Sequence, residues 1–155
     1  MLFIYKPLGL TEANTVEINP IAEHPVIDIM VSQKKKLAEK KYGGSMRLGS
    51  YPAIIKKGTI AYKAYKKDEI TERHRHRYEV NPKYVKQLKK GGLVFSAVSP
   101  DGVLMEIAEL SQTVHPFFLG TQFHPEFEAR PFSPHPLFTA FVKTAVKGLN
   151  MDTIL

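Results

Sequence analysis

Apolar and polar positions divide this chain into short runs. Residues 24–30, His-Pro-Val-Ile-Asp-Ile-Met, are apolar, β-branched and introduced by a proline, and so predict a strand. Residues 93–98 and 103–110 are two further apolar runs. Ser99-Pro100-Asp101-Gly102 between them favours a tight turn, and a hairpin is predicted. Phe117, Phe118, Leu119 and Phe123 make an apolar run bounded on both sides by His-Pro, which predicts a buried strand that joins or flanks the hairpin. Residues 51–65, punctuated by Pro52 and Gly58, predict one or two more short strands.

Two stretches change to the helical period. Asn81 reads as an N-cap with Pro82 at the first helical position; Tyr84, Val85 and Leu88 share a face, the last turn is basic and Gly91 ends it. Residues 137–147 place Leu137, Phe138, Phe141, Val142 and Ala145 on one face before Gly148, a helix expected to pack on the sheet. Strands mixed with helices predict an α/β domain. The rest is less regular. Leu2 to Tyr5 and the polar segment ending at Pro20 look like an element cut off at its start. Residues 32–41 carry five lysines and read as a solvated loop or frayed helix, residues 129–136 contain three prolines, and residues 149–155 read as a loose tail.

Composition narrows the function. A chain of 155 residues has the length of one domain. It has no apolar run of membrane-spanning length and no signal-peptide layout at its start, so a cytoplasmic protein with no membrane partner is expected. There is no cysteine, hence no disulfide, thiolate metal site or thiol nucleophile within the chain. The net charge of +7 favours anionic partners without choosing among them. Nucleic acid is disfavoured, because no aromatic-interleaved binding motif accompanies the charge.

The candidate chemistry starts at His124-Pro125-Glu126. Proline pushes the residue before it toward an extended conformation, so His124 and Glu126 leave the strand end two residues apart on roughly the same side. A carboxylate that accepts from one ring nitrogen leaves the other free to take and return a proton, the base and orienter part of a nucleophilic triad; the plainer alternative is a turn after a strand. In Glu72-Arg-His-Arg-His-Arg-Tyr-Glu-Val-Asn81, an extended chain puts Arg73, Arg75 and Arg77 on one face and His74, His76 and Tyr78 on the other. Those arginines suit either a ligand carboxylate or nearby acidic side chains. His74 and His76 lack a third ligand at a recognisable spacing, and no metal site is expected.

Taken together, residues 43–49 (GGSMRLG), 72–81 (ERHRHRYEVN) and 122–127 (QFHPEF) resemble the glutamine amidotransferase domain of the CTP synthases. The resemblance runs from about Gly9 onward and implies a three-layer class I amidotransferase-like sheet flanked by helices, N-terminally truncated, with residues 1–155 forming a partial domain and residues 1–8 a remnant of the missing part. In that family glutamine is hydrolysed by a cysteine paired with a His and a Glu, and the ammonia passes to a separate synthetase domain that makes CTP from UTP. The resemblance implies His124 as general acid/base and Glu126 as its orienter. It further implies Glu17 as the partner of the glutamine amino group and Arg77 as the partner of its α-carboxylate. The family's nucleophile sits in a Gly-x-Cys-x-Gly elbow upstream of the matching region. The chain is therefore expected to be inactive alone, with the missing half and the synthetase domain as partners in cis or trans. No cofactor is expected in this chain, since ATP and magnesium belong to the family's synthetase domain. The alternative is a non-catalytic module that binds glutamine.

Overall fold

The predicted apolar runs sort onto two sheets in the computed structural model, which describes residues 9–10, 12–29 and 46–148. Five strands form the larger sheet: β3 (Arg47–Ile55), β4 (Glu69–His76), β6 (Leu93–Val98), β7 (Met105–Leu110) and β8 (Leu119–Thr121), all antiparallel in the order β4-β3-β6-β7-β8. The smaller sheet has β1 (Ala13–Thr15) parallel to β2 (His24–Ile29), with β5 (Tyr78–Val80) antiparallel on the other side of β2. Three helices complete the described residues: α1 (Ile60–Tyr65), α2 (Pro82–Lys90) and α3 (Pro136–Gly148).

The core has two parts. One gathers Ala53, Ile55, Ile70, Ala97, Ile107 and Phe123 of the larger sheet and its strand ends with Ala61 of α1 and Leu137 of α3. The other joins Phe95 and Met105 to Tyr84 and Leu88 of α2 and to Ala13 and Val26 of the smaller sheet. Neighbouring positions of β6 and β7 serve different parts because the hairpin register shifts twice. Phe95 faces Ala108, Ala97 faces Ile107 and Val98 faces Met105, so Ser96 and then Glu106 are extra residues. Each extra residue reverses the in/out sense of the strand beyond it.

The helix over residues 82–90 and the hairpin form as the sequence predicts. Asn81 Oδ1 accepts from the Lys83 amide at 3.1 Å, and Gly102, at φ +73°, closes the hairpin turn through its amide to Ser99 O at 2.7 Å. Three expectations are corrected. The stretch 51–65 is one strand followed by a helix: Thr59 Oγ1 caps the Tyr62 amide, and the Glu109 carboxylate accepts from the Ile60 and Ala61 amides at 2.7 and 3.1 Å. The run around Phe117–Phe123 is a three-residue edge strand rather than a buried one; only Phe123 is buried, and Phe118 is exposed. The helix over 137–147 is seated mainly by its first turn, with Leu137 at 4% exposure while Phe138, Phe141 and Val142 stand at 43, 53 and 56%, and Phe141 meets the ring of Phe117 edge-on. The readings made for residues 1–8, 32–41 and 149–155 lie outside the described residues.

Candidate functional site

β8 ends one residue before Gln122, and the chain then turns through a short 3-10 turn at Pro125–Phe127. Proline at 125 leaves His124 extended, at φ −111° and ψ 91°. The His124 amide donates to Arg73 O of β4 at 2.9 Å, which fixes where the strand end meets the larger sheet. From that anchored backbone, His124 Nδ1 meets Glu126 Oε1 at 2.8 Å. The imidazole also stacks on Phe127, with centroids 4.7 Å apart and planes 13° from parallel. Side-chain exposures of 35% for His124 and 57% for Glu126 leave the pair open to a ligand. The hydrogen bond from His124 holds the Glu126 carboxyl below its ordinary range, so it stays ionised at neutral pH. An ionised Glu126 at Nδ1 selects the tautomer whose Nε2 lone pair is free.

The other two predicted residues lie at one end of the smaller sheet. Glu17 follows β1 and Arg77 precedes β5; β1 runs parallel to β2 and β5 antiparallel, so both residues fall at the C-terminal end of β2. The strands they adjoin are separated by β2 alone. Glu17 is exposed and Arg77 half-buried, and neither side chain hydrogen-bonds or ion-pairs with another described residue. No such contact links them to the His124–Glu126 pair. The alternation expected for the arginines holds at Arg73 and Arg75, exposed on either side of buried His74, and breaks at Arg77. There β4 passes to β5 and the chain changes sheet.

Beneath this corner lies a buried polar cluster that alternation did not disclose. Arg47 Nη1 donates to Glu106 Oε1 at 2.6 Å and stands 3.9 Å from Glu79 Oε1. His74 Nδ1 meets His76 Nε2 at 2.8 Å, His76 Nδ1 lies 3.2 Å from Tyr78 O, and His74 Nε2 faces Glu106 Oε2 at 3.8 Å. Burial pushes the pKa of Glu79 up to about 8, aided by neighbouring Glu106 and opposed by Arg47. Burial also raises that of Glu106, and lowers His74 to about 3 and His76 to about 4. At neutral pH both imidazoles are uncharged and Glu79 keeps its proton, so the Arg47 guanidinium faces two carboxyls that burial holds toward their protonated forms. With the His76 Nδ1 proton given to Tyr78 O, the pair of imidazoles is neutral and mutually bonded. No group of three or more His, Asp or Glu side chains placed to hold a metal ion occurs among the described residues.

A second buried group joins Tyr65 Oη and His135 Nε2 to Glu72 Oε1 at 2.6 and 3.0 Å, which ties α1, β4 and the start of α3 together. Glu72 and Glu79 lie inside the ten-residue arginine segment and were legible as polar positions but not as buried ones. Glu106 is hidden by the bulge. No helix among the described residues is long and apolar enough to cross a membrane.

A family model for class-I glutamine amidotransferases matches residues 12–144. The CTP synthase of Nocardia farcinica is 50% identical over 143 residues, 92% of this chain and 25% of that protein. The CTP synthase of Archaeoglobus fulgidus is 50% identical over 152 residues, 98% of this chain and 28% of that protein. Among solved structures, the glutaminase domain of Trypanosoma brucei CTPS with bound acivicin aligns with a TM-score of 0.83 at 36% identity, over 96% of this chain and 56% of that one. The chain thus spans about a quarter of the length of these curated relatives.

Proposed function

Because the chain belongs to the class-I glutamine amidotransferase family, we propose that it forms the proton-handling part of the glutaminase unit of a CTP synthase. The observation that carries the reading is the 2.8 Å contact of His124 Nδ1 with Glu126 Oε1 on a half-exposed ring. Glutamine is the ligand: Arg77 takes its α-carboxylate and Glu17 its α-amino group. Their free side chains, at the same end of the smaller sheet, supply one fixed cation and one fixed anion for a zwitterion.

The chemistry assigned to His124 follows from its tautomer. Nε2 takes the proton of the thiol as the sulfur adds to the carboxamide carbon, and returns it to the departing ammonia as the C–N bond breaks. Water then attacks the thioester while Nε2 takes its proton, releasing glutamate and the thiol. Glu126 steadies the imidazolium that forms within each of these steps. The thiol is supplied from outside this cysteine-free chain, and the ammonia serves an ATP-dependent amination of UTP to CTP in the synthetase unit.

Without a thiol, the 155-residue chain alone is expected to release no ammonia from glutamine. Loss of a nucleophile from a group that acts together lowers turnover by about a million-fold. A coupled glutamate dehydrogenase assay on the purified chain tests this, with and without an amidotransferase fragment bearing the cysteine elbow. Ammonia production by the chain alone refutes the reading. The lack of cysteine also favours a second reading, a glutamine-binding module without catalysis. Calorimetric heat with glutamine, together with no activity even when the fragment is present, distinguishes it.

A further inference from the structure

The two ends of this site sit on different sheets, and Arg77 is the single residue between β4 and β5. One side chain spans the corner. Gln122, two residues before His124, donates from Nε2 to Tyr78 O and to Glu79 Oε2, the latter at 3.1 Å. These acceptors lie one and two residues after Arg77. On the near side of the corner, the His124 amide is bonded to Arg73 O, four residues before Arg77. The Gln122 amide is held in turn by Glu106 O at 2.9 Å, on the bulged strand of the larger sheet.

We propose that Gln122 is a positioning residue that fixes the corner carrying Arg77 relative to the strand end carrying His124, and so sets the span of the glutamine site. The proposal rests on the functional reading of Arg77 and His124 given above. A primary carboxamide has two N–H donors, and two acceptors from β5 lie in reach. His76 Nδ1, 3.4 Å from Gln122 Nε2, gives its own proton to Tyr78 O and so competes for neither donor. A carboxylate at this position would set an acceptor against the Tyr78 carbonyl oxygen, so the geometry calls for a donor there and not merely for volume.

The test uses the full chain with Q122A and Q122E. Amide exchange at His124 and Asn81 is followed by NMR, alongside calorimetric titration with glutamine. In Q122A, exchange at the His124 amide is expected to quicken about ten-fold and glutamine affinity to fall by a similar factor. Amides at the centre of β6 should keep their wild-type rates. Q122E, nearly the same volume, should behave like Q122A at neutral pH and recover toward wild type as the pH is lowered and the introduced carboxyl regains a proton to donate. Wild-type exchange in Q122A, or wild-type behaviour of Q122E at every pH, overturns the proposal. If the wild-type chain binds no glutamine, the glutamine-binding roles of Arg77 and Glu17 in the isolated chain fail, while exchange at His124, measured without ligand, still decides whether Gln122 holds the corner.

Discussion

Stability should fall as the pH rises through neutrality, and Glu79 is the reason. The residue is 4% exposed, its carboxyl lies close to that of Glu106, and its pKa is pushed up to about 8 chiefly by burial. In the unfolded chain the same group loses its proton near its ordinary value of 4.5. Between those values the folded state holds a proton that the unfolded state has released. The unfolded state is therefore favoured progressively as pH rises, by up to about 1.4 kcal/mol per unit. Allowing for half-ionisation of the folded group at its own pKa, Glu79 alone accounts for a loss of roughly 1–2 kcal/mol between about pH 6.5 and 8, and the unfolded forms of His74 and His76, which shed their protons over the same interval, return about half of it. Urea unfolding at several pH values across this interval measures it. The chain has no thiol to titrate in the same range. Glu79→Gln removes the ionisation while keeping an acceptor for Gln122, and should flatten the alkaline limb. A wild-type profile flat from pH 6.5 to 8, or an equal slope in the variant, refutes the assignment.

The acid limb has the opposite cause. His74 and His76, lowered to about 3 and 4 mainly by burial, are neutral when folded and take protons on unfolding below their ordinary value of 6.5. The raised Glu79 and Glu106 offset this down to about pH 4.5, so wild type should lose stability steeply only below that, and Glu79→Gln earlier. Leu137→Ala should cost about 2–4 kcal/mol in urea unfolding. Phe141→Ala, on the exposed stretch of the same helix, should cost under about 1 kcal/mol, and an equal cost at both sites would contradict the seating described for α3. Glu126→Ala should change stability by no more than about 1 kcal/mol, because the pair is exposed. In the reconstituted glutaminase assay the same variant should lower kcat with little change in KM, and an unchanged kcat would remove Glu126 from the reaction.

What the sequence discloses depends on how local the determining physics is. The 82–90 helix is announced by its own cap, proline and terminal glycine, all within the element. The hairpin is likewise announced by its own turn. The His124–Glu126 contact follows from two residues flanking a proline. Arg77 was assigned to the face of Arg73 and Arg75 because alternation assumes an unbroken strand, and the change of sheet at that residue lies outside any periodic rule. Glu106 escapes for the same reason: an extra residue in the register turns an outward position inward, and a carboxylate in a strand otherwise reads as solvent-facing. The exposed face of α3 is apolar in sequence, but periodicity says only that a face exists and not how much of it this chain covers.

The cap on α1 has a consequence for the order of assembly. A helix of six residues is too short to persist alone, and its first turn contains no acid of its own. The carboxylate that receives its leading amides comes from Glu109, 48 and 49 residues further along. During synthesis, α1 must therefore wait for a strand that has not yet left the ribosome. A nascent chain arrested before β7 should show no protected amides at Ile60 and Ala61, and the two elements should gain and lose protection as one cooperative unit.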